Sequence, residues 1–496
     1  MLFTSLNYLL FIALVVIAYY LSPLKLRWII LLVASYVFIC FANASSLFVI
    51  IFSTVFNYFF GLFISRNENS PPLRDRGNAN FQIFNVSIRK SLFLLGLIIN
   101  IASLFIIKYL VSFATITITI SAPVTYRMAD LIFLLGFSFY TLQNIAYLTD
   151  VYYENIEPEK NIFRYAFYTA FFAKVASGPI ETARNFIPQI FIEKKFDYEN
   201  FTNGFQRIII GLFKKIVIAD RLAPAVSSIF DLPAHNCGLT TLVGVYLFTI
   251  QLYLDFSGYA DMAIGTAQLF GYKLSENFIL PFDATSISEF WRRWHITLIN
   301  WLKNYIYFPV VYKLRKYKKT GTIIGIIIIF IISGIWHGLG LTFLIWSIIH
   351  CICMIYETLT KNYRKKLSGK INFLSYKILS VFITLNIVAF ANIFFRAKSV
   401  GAGLKIIGEI FNITNFIPKN YLFQFVNPLA IGGHLEVIFN FYMLILLIIF
   451  YFIFENKLQK IISQQKNNYF LIFLFLMLIL LFGVFNENAY FIYNKF

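Results

Sequence analysis

Of the 496 residues, 59% are hydrophobic and only 13% charged, and 42 lysines and arginines stand against 23 aspartates and glutamates for a formal charge of +19. Soluble globular proteins carry about 25% charged residues, so this composition, with a mean hydropathy of +0.72, excludes a soluble fold and describes an integral membrane protein. Cytoplasmic loops and anionic lipid headgroups account for the positive charge, and no nucleic-acid partner is expected.

A hydrocarbon core of ~30 Å takes about 20 apolar residues as a helix. In chain order, apolar runs occur at Leu6 to Leu21, Trp28 to Phe41, Leu47 to Ile64, Ser91 to Leu110, Leu131 to Leu148 and Tyr165 to Ala176. They continue at Phe205 to Ala219, Thr240 to Leu254, Tyr259 to Phe270, Thr322 to Trp336, Leu341 to Tyr356, Ile378 to Phe395, Val437 to Phe454 and Tyr469 to Phe485. Several are too short to cross alone. The expectation is therefore an all-α polytopic membrane protein with about 11 transmembrane helices plus re-entrant or interfacial pieces. It is one domain over 1–496, with N-terminal helices in 1–150, a core in about 162–360 and C-terminal helices in 371–496.

The start, Met1-Leu-Phe-Thr-Ser-Leu-Asn7, lacks a basic region and a small-residue cleavage site, so the first run reads as a retained anchor. Basic residues fall in alternate loops: Lys25 and Arg27; Arg66, Arg74, Arg76, Arg89 and Lys90; Lys361 to Lys370; Lys457 to Lys466. The segments Phe41 to Ser46 and Ala114 to Thr125 carry almost no charge. Positive loops stay in the cytoplasm, which puts the N-terminus outside.

Two of the five histidines, His295 and His337, stand within strongly apolar stretches. An ionisable side chain there is costly and marks a functional site by default. His295 ends Glu289-Phe-Trp-Arg-Arg-Trp-His295, between Arg292 and Arg293 and the amphipathic run Ile296 to Val311, which Lys313, Arg315, Lys316, Lys318 and Lys319 follow. With cations at both ends, this run of ~24 Å dips into the membrane or lies along its surface. His295 then sits at the cytoplasmic mouth of a cavity, with Trp291, Trp294 and Trp301 as interfacial belt residues. The run from Thr322 rises about 22 Å to His337, past the midplane, where Gly338 and Gly340 turn the chain. A tunnel joining the two membrane faces explains both placements.

Asp255 and Asp261 are intramembrane acids in a glycine-broken helix. They orient an imidazole, or pair with Lys174 or Arg221 to hold the bundle, the preferred reading. Gln143 and Asn144 read as interhelical glue, and His350 as a tunnel-lining residue. His235 and His434 stand in polar loops. Cysteines 40, 237, 351 and 353 have no metal-ligand spacing, and no metal or bound cofactor is expected. Neither a nucleophile-elbow serine nor a phosphate-binding loop appears.

The quoted motifs, with Lys174-Val-Ala-Ser-Gly-Pro179, Gln251-Leu-Tyr-Leu-Asp-Phe-Ser-Gly-Tyr-Ala-Asp-Met-Ala-Ile-Gly265, Phe290-Trp-Arg-Arg-Trp-His-Ile-Thr-Leu298, Trp301-Leu-Lys-Asn-Tyr-Ile-Tyr-Phe-Pro309 and Trp336-His337-Gly338, make the chain similar to the membrane-bound O-acyltransferase family. It most resembles the branch of alginate O-acetyltransferase and peptidoglycan O-acetylating proteins, and the late Phe394-Phe-Arg-Ala-Lys-Ser399 also matches. The resemblance implies a central funnel closed near an essential histidine, in the bacterial inner membrane. An acetyl group would pass across it from a cytoplasmic thioester, acetyl-CoA, to a periplasmic SGNH-type acetyltransferase or to the glycan itself.

Acyl transfer needs a base for the hydroxyl, a stabiliser for the oxyanion and exclusion of water. His337 is the candidate base, and His295 holds or polarises the thioester. Arg292 and Arg293 meet the donor's phosphates, and Trp336, Asp255 and Asp261 complete the substrate site. The alternatives are D-alanyl transfer to teichoic acid within the same fold, or a proton-coupled transporter or flippase. The latter predicts inverted repeats, yet neither histidine motif recurs.

Overall fold

A computed structural model describes residues 3–65, 79–107, 134–231, 237–369, 372–412, 434–464 and 468–485. The loop with Arg66, Arg74 and Arg76, the segment Ala114 to Thr125, the start of the run at Leu131, and His235 lie outside the described residues. Every regular element among the described residues is helical, and eight helices are long and apolar enough to cross a membrane. The protein is a multi-pass membrane protein. Contacts divide it into two compact units, Met1–Gly204 with Ala263–Ser275, and Phe205–Met262 with Glu276–Phe496.

The first unit contains α1 (Leu6–Leu21), α2 (Arg27–Ala42), α3 (Ala44–Ile64), α4 (Ala79–Phe105), α5 (Phe137–Tyr152), α6 (Ile162–Ala170), α7 (Phe172–Val175) and α8 (Ala183–Phe186). Asn43 separates α2 from α3, its side chain accepting from the Ser45 amide and capping the new helix. Lipid is as apolar as leucine, so helix association rests on packing and interhelical hydrogen bonds. Thr54 meets Thr169 at 2.9 Å, Asn144 donates to Ser53 at 3.0 Å, and Tyr165 donates to Asn144 at 2.8 Å. Asn144 is thus the interhelical bridge the sequence suggested.

The predicted run Tyr165 to Ala176 is not one lipid-facing span. The chain breaks at Phe171 between α6 and α7, and Tyr165, Phe167, Tyr168, Phe171 and Phe172 are all fully buried. A short apolar run reads the same whether lipid or protein surrounds it, and here protein does.

The second unit begins within α9 (Tyr198–Leu212), which runs into a π-helical turn at Phe213–Ala219 and then α10 (Asp220–Asp231). After it come α11 (Gly238–Leu269), α12 (Ile287–Arg293), α13 (Ile296–Leu302), α14 (Phe308–Lys313), α15 (Lys319–His337), α16 (Leu341–Ser368), α17 (Phe373–Arg396), α18 (Val400–Ile410), α19 (His434–Gln464) and α20 (Tyr469–Phe482). His434, read as a loop residue, opens α19.

The two runs predicted around Asp255 and Asp261 are one uninterrupted helix of 32 residues, α11. Gly258 does not break it. A Cβ there would lie 2.8 Å from the Gly211 carbonyl oxygen, and one on Gly211 would lie 2.5 Å from the Gly258 carbonyl oxygen. The glycine pair lets α9 and α11 cross backbone to backbone, as small residues do in membrane helix packing.

Candidate active site

His337 is the last residue of α15, because the segment Gly338-Leu-Gly340 that follows ends the helix and turns it into α16. Only glycine fits at position 338, where a Cβ would lie 2.5 Å from the Phe343 ring. The His337 side chain is buried, with its ring centre 4.9 Å from Trp336, 5.1 Å from Trp346 and 5.3 Å from Phe395. Aromatic walls on several sides lower the local dielectric, which strengthens any charge interaction made inside.

His295 precedes α13 in the left-handed region, φ +44°. A bulky residue holds that conformation at a cost, and such strain collects at functional sites. Asn277 is what holds it. The Asn277 Oδ1 accepts from the Thr297 amide at 3.2 Å and from the Thr297 hydroxyl at 2.9 Å, and lies 3.1 Å from His295 Nδ1. An amide N–H only donates, so the atom facing it is the Asn277 oxygen, and His295 Nδ1 carries the proton toward it. In a neutral ring the lone pair then belongs to Nε2. His295 lies between the membrane-spanning helices, and burial pulls its pKa down to about 3, so the ring is neutral at pH 7.

His295 and His337 both pack close to Trp336. His295 lies 6.3 Å from the Trp336 ring, and Trp336 lies 4.9 Å from His337. One indole stands between two imidazoles that are 42 residues apart (337 − 295). The belt expectation fails: Trp291, Trp294 and Trp301 are buried in the second unit, not displayed at an interface. The run after His295 is also not one regular helix, since a π-helical turn, Lys303–Tyr307, joins α13 to α14.

The acids do not pair with Lys174 or Arg221. Asp255 meets Lys215 at 2.5 Å, and Lys215 also meets Asp220 at 2.7 Å. Asp261 meets Lys214 at 2.6 Å and Arg207 at 2.9 Å, and Arg207 grips Glu276 through both guanidinium nitrogens. The π-helical turn explains the choice, because its wider winding brings the consecutive Lys214 and Lys215 both onto α11. Lys174 instead donates to Gln143 in the first unit, and Arg221 donates to the Phe482 carbonyl at 2.6 Å. Asp255 and Asp261 are thus bound into a buried ionic frame with Lys214, Lys215 and Arg207 in place of the expected Lys174 and Arg221.

The two arginines part company. Arg293 donates to Glu289 at 2.7 Å and to the Leu280 carbonyl at 3.2 Å, whereas Arg292 is exposed. Burial, with the positive charge of Arg292 nearby, pulls the Lys303 ammonium below its usual range.

The sequence profile of the membrane-bound O-acyltransferase family matches residues 158–397. Over 422 residues the chain is 34% identical to the peptidoglycan O-acetyltransferase of Helicobacter pylori, covering 79% of this chain and 74% of that protein. The chain belongs to the membrane-bound O-acyltransferase family. It is also 34% identical to a probable alginate O-acetylase of Azotobacter vinelandii, over 69% of this chain and 65% of that one. Against the teichoic acid D-alanyltransferase of Bacillus subtilis the identity is 29%, over 54% of this chain and 70% of that one. Every candidate site residue, from Asp255 to His337, lies inside the family segment.

In this acyltransferase the structure adds residues that sequence reasoning missed. Asn277 had no signal, since nothing in the spacing of Tyr272-Lys-Leu-Ser-Glu-Asn277 ties it to a histidine 18 residues on. Trp346 was passed over as an apolar helix residue, yet its ring touches both His337, at 5.1 Å, and His350, at 5.3 Å. Its helical spacing of four from His350 was the available clue. No group of three or more metal-ligating side chains occurs among the described residues.

Proposed function

We propose that this acyltransferase moves an acetyl group from a cytoplasmic thioester, acetyl-CoA or a related donor, to a hydroxyl of a cell-envelope glycan. Peptidoglycan is the first candidate, given the Helicobacter relative, and an alginate-like exopolysaccharide the second. The acceptor is the glycan itself or a periplasmic acetyltransferase of SGNH type that relays the group. The protein sits in the inner membrane with its N-terminus outside.

The observation that carries this reading is the pair of buried imidazoles on either side of Trp336, within an aromatic enclosure. His337 takes the acceptor's hydroxyl proton as the oxygen attacks the thioester carbon. The C–S bond breaks, a C–O bond forms, and the same proton passes from the imidazole to the leaving thiolate, so no net charge is left in the membrane. His295, held by Asn277, orients the thioester from its Nε2 edge. Arg292 and Lys303 attract the donor's anionic groups, while Arg293 and the Asp255 and Asp261 clusters hold the scaffold.

Direct transfer needs no covalent enzyme intermediate. Purified protein incubated with radiolabelled acetyl-CoA alone is expected to stay unlabelled, and to release labelled ester only when a glycan acceptor is added. A stably acetylated protein would overturn direct transfer. D-alanyl transfer to teichoic acid is the second reading, favoured by the Bacillus relative; D-alanyl esters in place of acetyl esters on the acceptor would establish it.

A further inference from the structure

Three ring nitrogens that this mechanism does not use share one enclosed space. A cavity of about 10 Å³ in the second unit is lined by Trp291 of α12, Trp346 and His350 of α16, and Asn392 and Phe395 of α17. Trp291 Nε1, Trp346 Nε1 and His350 Nδ1 are buried and meet no hydrogen-bonding group among the described residues. Buried polar atoms in folded proteins almost always have partners, so three orphans around one cavity call for a common one.

The chemistry of the lining restricts what that partner is. An indole N–H donates and never accepts, so the occupant must accept from Trp291 and Trp346. It must also satisfy His350 Nδ1. The rings are gathered closely, at 5.0 Å between Trp291 and His350, 5.3 Å between Trp346 and His350, and 5.8 Å between the two indoles. A volume of about 10 Å³ is that of one water and too small for an acyl chain. A water has two lone pairs for the two indoles and a proton for the imidazole.

We propose that this cavity is a site for one ordered water, which accepts from Trp291 and Trp346 and donates to His350 Nδ1. Through that water His350 is a positioning residue. It fixes the Trp346 indole, and that fixation is felt at His337, whose ring packs on Trp346 at 5.1 Å. The effect on rate rests on the proposed role of His337; the water itself does not.

Two measurements on the full-length protein test this. An experimental structure at a resolution that reveals water is expected to show one peak about 2.7–3.2 Å from all three nitrogens. No peak there, or nitrogens turned onto protein acceptors, overturns the site. Kinetics test the positioning role: His350→Phe, which fills the cavity with an apolar ring, is expected to lower kcat about 10-fold at unchanged KM, and His350→Gln, which can still bond the water, to stay within about 3-fold of wild type. Equal kcat in both variants overturns the positioning role. A wild type with no transfer activity would instead sink the functional reading, and the density then decides the site alone.

Discussion

Replacing Asn277 by alanine removes a single oxygen on which three donors depend: the Thr297 amide at 3.2 Å, the Thr297 hydroxyl at 2.9 Å and His295 Nδ1 at 3.1 Å. Asn277 is fully buried, as is His295, and water does not replace the lost acceptor without repacking. Each stranded donor costs about 1–3 kcal/mol, and one hydroxyl can rotate to a new partner, so the expected destabilisation is about 3–5 kcal/mol. The functional effect follows from the backbone. His295 is held at φ +44° by this contact, and without it the residue relaxes toward a negative φ and its ring leaves the Trp336 face. Transfer rate is then expected to fall about 100-fold, the size of effect that misplacing a positioning group by an ångström produces. Asn277→Asp keeps an acceptor oxygen and is expected to recover part of both losses. The assay is thermal unfolding of the detergent-purified protein together with acetyl ester formation at matched protein level. A stable and fully active Asn277→Ala would refute the account of how His295 is held.

Three further outcomes are expected. Lys215→Met strands Asp255 and Asp220 and is expected to cost about 3–5 kcal/mol, seen as a lower yield of folded protein and a lower melting temperature; adding Asp255→Asn and Asp220→Asn to that variant should restore most of the loss. Gly258→Val drives a side chain into the Gly211 carbonyl, 2.8 Å from the new Cβ, and is expected to separate α9 from α11 and unfold the protein at growth temperature, whereas the same change at Gly408, which has open space, is tolerated. The third concerns acid. Burial pulls the His295 pKa from 6.5 down to about 3, so the unfolded state binds the extra proton between those values and stability falls as pH drops from about 6.5 toward 3. The slope is at most about 1.4 kcal/mol per pH unit. His295→Asn should flatten it, as followed by thermal unfolding across pH.

The sequence carried the chemistry further than the architecture. The two histidines announced themselves by apolar surroundings, and the family motifs around them matched across most of the chain. What lay between them was not legible. A span count from hydropathy treats every apolar run as lipid-facing, so the buried stretch Tyr165 to Ala176 was read as a crossing. The glycine at 258 was read as a break because a lone glycine in a helix has several uses, and only the facing Gly211 shows that this one serves close packing. Likewise the partners of Asp255 and Asp261 were assigned to the wrong cations, since a π-helical turn shifts which side chains share a face and leaves no periodic trace in the sequence.

The central claim is that His337 carries the transfer. The most direct measurement is the O-acetyl ester content of purified envelope glycans from cells lacking the native enzyme and expressing either wild type or His337→Ala, at equal membrane levels. The account predicts that wild type restores the esters and His337→Ala leaves them at background. Esters restored equally by both would contradict it, and would make His337 a packing residue at the end of α15.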